Sequence, residues 1–197
     1  YEAGIEYNYK SLLNFNLTGF ILNTSKEVSE TIPGSGVFVN SGKTQRRGLE
    51  LGLRVQPVNR LNINGSLAYV KTEIKRNEDK SLIGNELNNI PKTVANLSVD
   101  YTLESGFGAR VNLRDVGKYS TGVENFFYYK GYTRADATLF YNFAGAYSYR
   151  GQFFVEVNNI FDENYSTYVF DNGGPADGQS YSASPMRSFS VGVSYNF

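Results

Sequence analysis

The sequence predicts an all-β chain, an antiparallel up-and-down transmembrane β-barrel wall of about nine strands. Apolar residues alternate with small or polar residues along most segments, which is the period of a strand. The polar sides carry charges such as Glu50, Arg54 and Asp100, which suit a water-filled or plugged lumen better than a packed core. Short turns near residues 10, 58, 105 and 147 also alternate with long connections near residues 30, 80, 125 and 173, as in outer-membrane barrels.

Four segments in the first half of the chain alternate in this way and are predicted strands. Their apolar sides are Ala3, Ile5, Tyr7 and Tyr9; Leu13, Phe15, Leu17 and Ile21; Leu49, Leu51, Leu53 and Val55; and Leu61, Ile63, Leu67 and Tyr69. The third strand is expected to begin near Phe38 and to end near Gln56. Residues 23–37 contain Pro33 and two glycines, which interrupt strand ladders, and they are predicted to form a loop, as are the charged residues 75–86.

The second half continues the pattern. Its predicted strands have apolar sides at Ala95, Leu97, Val99, Tyr101 and Leu103; Phe107, Ala109, Val111 and Leu113; Ala135, Ala137, Leu139, Tyr141 and Phe143; and Phe153, Val155 and Val157. Residues 119–132 form a predicted aromatic loop and residues 162–184 the longest loop. Asp100 and Arg110 lie nearly opposite each other across the turn at Glu104, so we expect them to pair on the inner face.

The last strand, residues 188–197, reads SFSVGVSYNF and places every large apolar residue on one side. Other aromatic residues collect at strand ends and predict girdles at the two membrane interfaces. The girdle residues are Tyr7, Tyr9, Tyr101, Tyr141, Phe143, Tyr195 and Phe197 at the short-turn end, and Tyr69 and Tyr132 at the other end. The alternative is a soluble sandwich with tyrosine-rich rims, because a soluble sheet also alternates.

Composition excludes several classes of function. The 197 residues include 19 Lys and Arg and 19 Asp and Glu, so net charge indicates no nucleic-acid partner. The chain has no Cys and no His, which excludes disulfides, thiolate metal sites and Ser-His-Asp chemistry. We therefore expect no enzyme activity, no cofactor and no metal site. A barrel enzyme is disfavoured for the same reason, because the known chemistry of such barrels relies on His.

Several short motifs resemble one protein family. Residues 158–165 read NNIFDENY and resemble the Asn-Leu-Phe-Asp-x-x-Tyr signature near the end of TonB-dependent outer-membrane transporters. Residues 185–189, PMRSF, are similar to the Pro-Arg-x-Phe that opens the last strand of that family. Residues 40–42 with RGLE at 47–50, and the Ile-Pro pair at 90–91, are similar to two earlier family strands. These motifs follow the family order, so the chain resembles the C-terminal barrel portion of a siderophore-receptor type transporter.

The resemblance implies an assembly larger than this chain. Plugged transporter barrels have 22 strands, so residues 1–197 are expected to be the C-terminal part of such a barrel, with the plug domain and the first strands upstream. The chain opens on Tyr1 and shows no signal peptide, so an export signal is also expected upstream. An isolated open sheet would leave backbone groups unpaired in lipid.

The resemblance also implies a function in the Gram-negative outer membrane. The transporter would import a scarce nutrient, most often an iron–siderophore complex or similar metal chelate, with energy from the TonB complex acting through the absent plug. Cobalamin or glycan import in the same family stays open. So does a small structural or adhesin-like barrel without transport, which would need an even strand number and self-closure.

Six aromatic residues of the long loops are predicted to bind the substrate, because rings with polar tips stack on and hydrogen-bond to siderophores, corrins or sugars. They are Tyr119, Phe126, Phe127, Tyr128, Tyr129 and Tyr168. The alternative is that these rings belong to a girdle or pack loop on loop. Asp171 and Asp177 offer oxygen ligands for Ca²⁺, but Asp-Asn-Gly composition is ordinary in turns, and no metal site is predicted.

The last strand carries a second expected role. Its alternation and terminal aromatic residue resemble the signal read by the outer-membrane assembly machinery, which would be a partner together with outer-membrane lipid. The predicted assembly signal consists of Phe189, Val191, Val193, Tyr195 and Phe197.

Overall fold

Thirteen strands form in the part of the chain that the computed structural model describes, which is residues 1–30, 38–144, 150–172, 175–176 and 178–196. A single 3-10 turn, Lys80–Leu82, accompanies them. The strands are β1 (Glu2–Tyr9), β2 (Leu13–Glu30), β3 (Phe38–Val55), β4 (Leu61–Arg76), β5 (Thr93–Thr102), β6 (Phe107–Val116), β7 (Tyr119–Ser120), β8 (Tyr128–Tyr129), β9 (Tyr132–Ala144), β10 (Arg150–Asn158), β11 (Ser166–Asp171), β12 (Gln179–Ala183) and β13 (Ser188–Asn196).

Nine of these strands form one antiparallel sheet in the order β1-β2-β3-β4-β5-β6-β9-β10-β13. The other four form two small hairpins, β7–β8 and β11–β12, within the long connections. The all-β, antiparallel, up-and-down fold that the alternation predicted is therefore confirmed as a nine-stranded portion of a barrel wall. No helix among the described residues has the length and apolar character needed to cross a membrane.

The register gives the sheet two chemically distinct faces. Residues paired across neighbouring strands share a face, and one such row is apolar in all nine strands. It runs through Tyr9, Leu13, Val55, Ile63, Val99, Val111, Ala137, Val157 and Phe189. A row on the opposite face is polar throughout and runs through Asn8, Asn14, Arg54, Asn64, Ser98, Asn112 and Asp136.

The apolar face, called the outward face below, is not covered by the chain. Leu139 is 66% exposed and Phe189 is 72% exposed. Soluble monomers rarely expose contiguous apolar patches on this scale, which mark interaction sites or membrane contact. The expected pair on the inward face is present, since Arg110 Nε donates a 2.9 Å hydrogen bond to Asp100 Oδ2.

Large rings on the inward face pack over glycines of the neighbouring strand. A Cβ added to Gly108 would lie 2.3 Å from the Phe140 ring, and one added to Gly192 would lie 2.5 Å from the Phe154 ring. Only glycine leaves room for this approach, in which the ring covers backbone that has no side chain of its own. Phe140 is buried as a result, although it shares its face with charged residues.

The two ends of the sheet differ as predicted. The connections after β1, β3 and β5 are short and define the short-turn end, where Arg60 and Gly106 adopt positive φ angles of 71° and 94°. The connections after β4, β6 and β10 are long and define the long-loop end. The predicted turn after β9 falls mainly on residues 145–149, which lie outside the described residues.

Three expectations need correction or limits. Residues 23–30 were predicted to be loop but continue β2, because they pair with β3 in a ladder that needs no apolar side chains; residues 31–37 lie outside the described residues. The predicted loop 162–184 contains the β11–β12 hairpin. Tyr132 does not belong to an outward girdle, because its ring centroid lies 4.4 Å from that of Tyr165 and its side chain packs against buried residues.

Candidate functional site

The connections at the long-loop end pack around a small buried cluster. Val116, Tyr119, Tyr129 and Val169 form it, with Tyr132 packed against them. The rings of Tyr119 and Tyr129 lie 5.4 Å apart. Burial, followed by the neighbouring Tyr129 and Tyr132, raises the pKa of Tyr119 to about 12. Tyr119 is thus part of the packing that connects the loops.

Asn125 joins this cluster to the connection between β4 and β5. Its Nδ2 donates to the carbonyl oxygen of Glu86 at 2.9 Å, while its Oδ1 accepts from the Glu86 backbone N–H at 2.7 Å. Nδ2 also contacts Ser120 Oγ at 3.0 Å and the Gly122 carbonyl at 3.0 Å. Asn125 has a φ of 60°, a conformation that Asn tolerates better than most residues. Two connections distant in sequence are thereby held in one fixed arrangement.

The β11–β12 hairpin is fixed to the same cluster by hydrogen bonds. The Ser166 backbone N–H donates to the Tyr129 hydroxyl at 2.9 Å. Gln179 Nε2 donates to Thr121 Oγ1 at 2.8 Å, and the Asp171 backbone N–H donates to the Thr121 carbonyl at 3.3 Å. Buried polar groups that are paired in this way make a loop assembly rigid.

The NNIFDENY segment forms a clasp at the foot of this hairpin. Asn159 is buried; its Nδ2 donates to the Glu163 carbonyl at 2.9 Å, and its Oδ1 accepts from the Glu163 N–H at 3.0 Å. Asp162 Oδ1 accepts from the Arg187 N–H at 2.9 Å, which connects the motif to the start of β13. Asn159 and Asp162 have φ angles of 54° and 53°, so the motif supplies residues that tolerate a left-handed turn.

Arg134 connects the clasp to the inward face of the sheet. Its guanidinium donates to Asp136 Oδ1 at 2.9 Å, to Asn158 Oδ1 at 3.2 Å and to the Tyr165 hydroxyl at 3.2 Å. Asp136 Oδ1 also accepts the Asn159 backbone N–H at 2.8 Å. The Arg134 guanidinium thus orients both ends of the NNIFDENY motif, Asn158 and Tyr165. These bonds hold the connection after β10 against the inward face of the sheet.

A groove of about 530 Å³ lies between the aromatic loop and the β11–β12 hairpin. This volume is in the range of small-molecule sites. Its lining combines aromatic rings with amide, hydroxyl and ammonium groups. The lining residues are Tyr128, Tyr129, Lys130, Asn164, Tyr165, Ser166, Tyr181 and Ala183.

Lys130 lines this groove, and two further lysines, Lys118 and Lys92, lie near the ring of Tyr128, which also lines it. Lys118 Nζ is 4.3 Å from the centroid of the Tyr128 ring, and Lys92 Nζ is 6.0 Å from it. Lys92 and Lys130 each have an acidic partner, at 2.7 Å and 3.3 Å respectively. The hydrogen bond to its partner Glu86 raises the pKa of Lys92. Lys118 has no salt-bridge partner among the described side chains and leaves a positive charge beside an exposed aromatic ring.

The structure separates the six aromatic residues predicted to bind substrate. Tyr119 and Tyr129 are buried in the cluster, Tyr129 also lining the groove, whereas Phe126 and Tyr168 are exposed away from it. Phe127 is half-buried. Of the six, Tyr128 and Tyr129 line the groove. Contact of any of them with a substrate remains a prediction.

Sequence reasoning missed several groove residues. Tyr165 is the last residue of the NNIFDENY motif. Tyr181 lies in an alternating Ser-Tyr-Ser stretch, which is a weak indication of a strand at that position. The lysines gave no comparable signal, because Lys118 is separated from Tyr128 in sequence and meets it only when β7 and β8 pair.

The predicted assembly signal lies on the outward face. Phe189, Val191, Val193 and Tyr195 are all exposed there, and Phe197 lies outside the described residues. Among the described residues no group of three or more acidic side chains is placed to hold a metal ion. Asp171 ends β11, whereas Gly173, Gly174 and Asp177 of the suggested Ca²⁺ loop lie outside the described part of the chain.

Comparison with known proteins gives a consistent result. Residues 1–160 match the family described as TonB dependent receptor-like, beta-barrel. The ferrichrome outer membrane transporter/phage receptor of Escherichia coli (strain K12) is 29% identical over 181 residues, covering 88% of this chain and 24% of that protein. The probable TonB-dependent siderophore receptor PiuA of Acinetobacter baumannii is 26% identical over 196 residues, covering 91% and 25%.

A solved structure agrees with the fold. The crystal structure of the siderophore receptor PiuA from Acinetobacter baumannii aligns with a TM-score of 0.79 at 22% sequence identity, over 98% of this chain and 27% of that one. The chain therefore spans about a quarter of the length of the curated relatives it matches.

Proposed function

The chain belongs to the TonB-dependent receptor-like β-barrel family, and from this premise we propose that it supplies wall strands and long loops to an outer-membrane receptor that imports an iron–siderophore complex. The relatives named above are a ferrichrome transporter and a probable siderophore receptor. In this proposal the nine strands are the C-terminal part of the barrel. The plug domain, which contacts the TonB complex that supplies energy, belongs to another part of the receptor.

One observation carries the proposal for the substrate site, namely the groove whose lining combines aromatic rings with Lys130, and whose Tyr128 ring has Lys118 beside it. Ferric complexes of acidic chelators carry negative charge and planar or conjugated donor groups. Tyr128 offers a ring face, and Lys118 places a positive charge 4.3 Å from that ring. Hydroxyl and amide groups from Ser166 and Asn164 supply the few polar contacts that orient a ligand in such a site.

In this proposal the sheet contacts the membrane and the lumen, and the long loops bind the substrate. The outward face meets lipid, and the polar inward face with its Asp100–Arg110 pair faces the aqueous lumen and the plug. The Asn159 clasp and the Asn125 junction hold the groove in a defined shape before ligand arrives. Preorganisation of this kind raises affinity by lowering the ordering cost of binding.

The proposal is tested with the full-length receptor in an iron-limited strain that lacks other receptors. Uptake of radioactive iron is measured for a panel of ferric chelates, with and without TonB. We expect one class of chelate to be taken up only when both the receptor and TonB are present. Tyr128→Ala and Lys118→Gln should each weaken binding of that chelate, by about tenfold for the ring. Phe126→Ala is the matched control, because Phe126 is an exposed ring of the same loop outside the groove lining.

Two results would contradict the proposal. One is receptor-dependent uptake of cobalamin or an oligosaccharide together with no uptake of any ferric chelate. The other is that Tyr128→Ala and Lys118→Gln both bind the chelate like the parent while Phe126→Ala binds it weakly. That result would show that the binding site lies elsewhere in the loops.

A further inference from the structure

Two buried tyrosines that line the groove have hydroxyl groups whose oxygen atoms already accept a hydrogen bond. The Tyr129 oxygen accepts from the Ser166 backbone N–H at 2.9 Å, and the Tyr165 oxygen accepts from the Arg134 guanidinium at 3.2 Å. Neither of these donors can itself accept a hydrogen bond, so each hydroxyl proton is left for another group. No acceptor for either proton is found among the described residues. Tyr129 and Tyr165 therefore each keep one unused donor.

Tyr181 lines the same groove but has no such donor. Its hydroxyl donates to Gln179 Oε1 at 3.0 Å, so its proton is already used within the β11–β12 hairpin. The ring centroids of Tyr129 and Tyr181 lie 6.3 Å apart. The groove thus contains two neighbouring tyrosines of which one has a free hydroxyl proton and the other does not.

The charged group of the lining is a cation. Lys130 contributes an ammonium group and Asn164 an amide, and none of the described residues that line the groove is acidic. Glu163, the carboxylate next in sequence to Asn164, lies 3.3 Å from Lys130. Lys118 adds a further positive charge beside the Tyr128 ring. A ligand that is negatively charged and brings acceptor oxygen atoms therefore complements the groove best, because a buried donor left without an acceptor lowers affinity.

Ferric chelates differ in the charge on their oxygen atoms. A catecholate brings two negative charges to the iron and a hydroxamate brings one, so a ferric tris-catecholate is an anion and a ferric tris-hydroxamate is neutral. Hydrogen bonds to charged acceptors are shorter and stronger than those to neutral acceptors. A site that places buried donors against the chelate therefore distinguishes the two classes.

We propose that the groove selects anionic ferric chelates of the tris-catecholate type over neutral ones, and that Tyr129 and Tyr165 donate the hydrogen bonds that set this selectivity. The inference rests on the proposed function and adds the class of chelate and the residues that choose it. The Arg134 guanidinium polarises the Tyr165 hydroxyl and strengthens it as a donor. The Ser166 N–H holds the Tyr129 oxygen in place, so that its proton needs little reordering when a ligand binds.

The test uses the full-length receptor purified in detergent and a series of radioactive ferric chelates built on one backbone. The series replaces catecholates by hydroxamates one at a time, so that negative charge falls stepwise at nearly constant size. We expect the parent to bind the tris-catecholate about a hundredfold more tightly than the tris-hydroxamate, because each of two hydrogen bonds to a charged acceptor changes affinity about tenfold.

Tyr129→Phe removes one donor and keeps the ring. It should weaken binding of the tris-catecholate about tenfold and binding of the tris-hydroxamate less than about twofold, and Tyr165→Phe should show the same pattern. A loosened hairpin would weaken both chelates equally, so the ratio of the two affinities separates donation from a structural role. Tyr181→Phe is the matched comparison and should lower that ratio less than Tyr129→Phe does, because its proton is already used. If one variant fails to assemble, judged by heat-modifiable migration, the other carries the test.

The inference is overturned if the parent binds both ends of the series equally or prefers the tris-hydroxamate; the receptor would still import a ferric chelate. It is also overturned if Tyr129→Phe and Tyr165→Phe leave the ratio of affinities unchanged, or if Tyr181→Phe lowers it as much. Binding of no member of the series, together with uptake of cobalamin or an oligosaccharide, would contradict the proposed function and this inference with it.

Discussion

Leu139 and its neighbour Thr138 offer the sharpest test of the two-faced wall. Leu139 is 66% exposed on the outward face, near the middle of β9. It lies in an apolar row with residues from four neighbouring strands. That row is Tyr101, Ala109, Leu139, Val155 and Val191. Thr138 points to the opposite face, where Arg110 and Glu156 are its cross-strand neighbours.

The expected effects of an arginine at these two positions differ in size. On the lipid face, Arg costs about 2–4 kcal/mol at mid-membrane and about 0–1 kcal/mol near an interface. Because Leu139 lies two residues, or roughly 7 Å, from Tyr141 of the predicted short-turn girdle, we expect Leu139→Arg to cost about 2 kcal/mol, which is roughly 30-fold in the folding equilibrium. At position 138 the new guanidinium would lie in the lumen beside Glu156, with an attraction that offsets repulsion from Arg110. We expect Thr138→Arg to change the free energy of unfolding by less than about 1 kcal/mol.

The measurement is urea unfolding of the full-length receptor in lipid vesicles, followed by heat-modifiable migration and tyrosine fluorescence. Leu139→Arg should lower the free energy of unfolding well beyond the effect of Thr138→Arg. If Leu139→Arg unfolds like the parent while Thr138→Arg fails to assemble, the two faces have been assigned in the wrong order.

Three further predictions concern topology, the clasp and the last strand. In intact cells an impermeant thiol reagent should label the variant Asp79→Cys and not the variant Ser105→Cys. The reverse pattern would show that the wall has the opposite orientation in the membrane. Asn159→Ala removes the buried partner of three hydrogen bonds, at about 1–3 kcal/mol, so amide exchange in β11 should accelerate, and unchanged exchange would show that the clasp does not hold the hairpin. Deleting Phe197 should lower the amount of receptor exposed to protease shaving, whereas Asn196→Ser should have little effect; equal amounts in all strains would remove the assembly role of the terminal residue.

Alternation alone was sufficient to predict the membrane-facing part of the wall. A strand with lipid on one side and water on the other must alternate, so Leu139 and Val191 reveal their face in the sequence. The upper part of β2 gave no such signal, because residues 23–30 are mostly polar and pair with β3 through backbone hydrogen bonds and polar side-chain contacts such as the Glu27–Arg46 ion pair. The strand prediction relied on apolar alternation, which a ladder exposed to water does not need.

The groove was harder to foresee than the wall. An aromatic-rich loop indicated a binding region, but tyrosine is both apolar and polar, so composition did not separate the buried Tyr119 from the exposed Tyr128. The position of Lys118 beside Tyr128 depends on the pairing of β7 with β8. The hairpin that forms the opposite wall was hidden within a long connection, although Thr167, Tyr168 and Val169 are residue types enriched in strands.

The up-and-down strand order has a consequence for how the wall forms and how it changes over evolution. Each strand pairs with its sequence neighbours or with strands separated by one small hairpin, and the widest separation in the sheet joins Arg150 to Asn196. Because each pairing joins strands that are neighbours in the chain or separated by one small hairpin, the sheet can grow by one hairpin at a time. Removing β5 and β6 together would bring the ascending β4 beside the descending β9, still antiparallel and still joined at the long-loop end. Strand number can therefore change in pairs while every remaining loop keeps its side of the membrane.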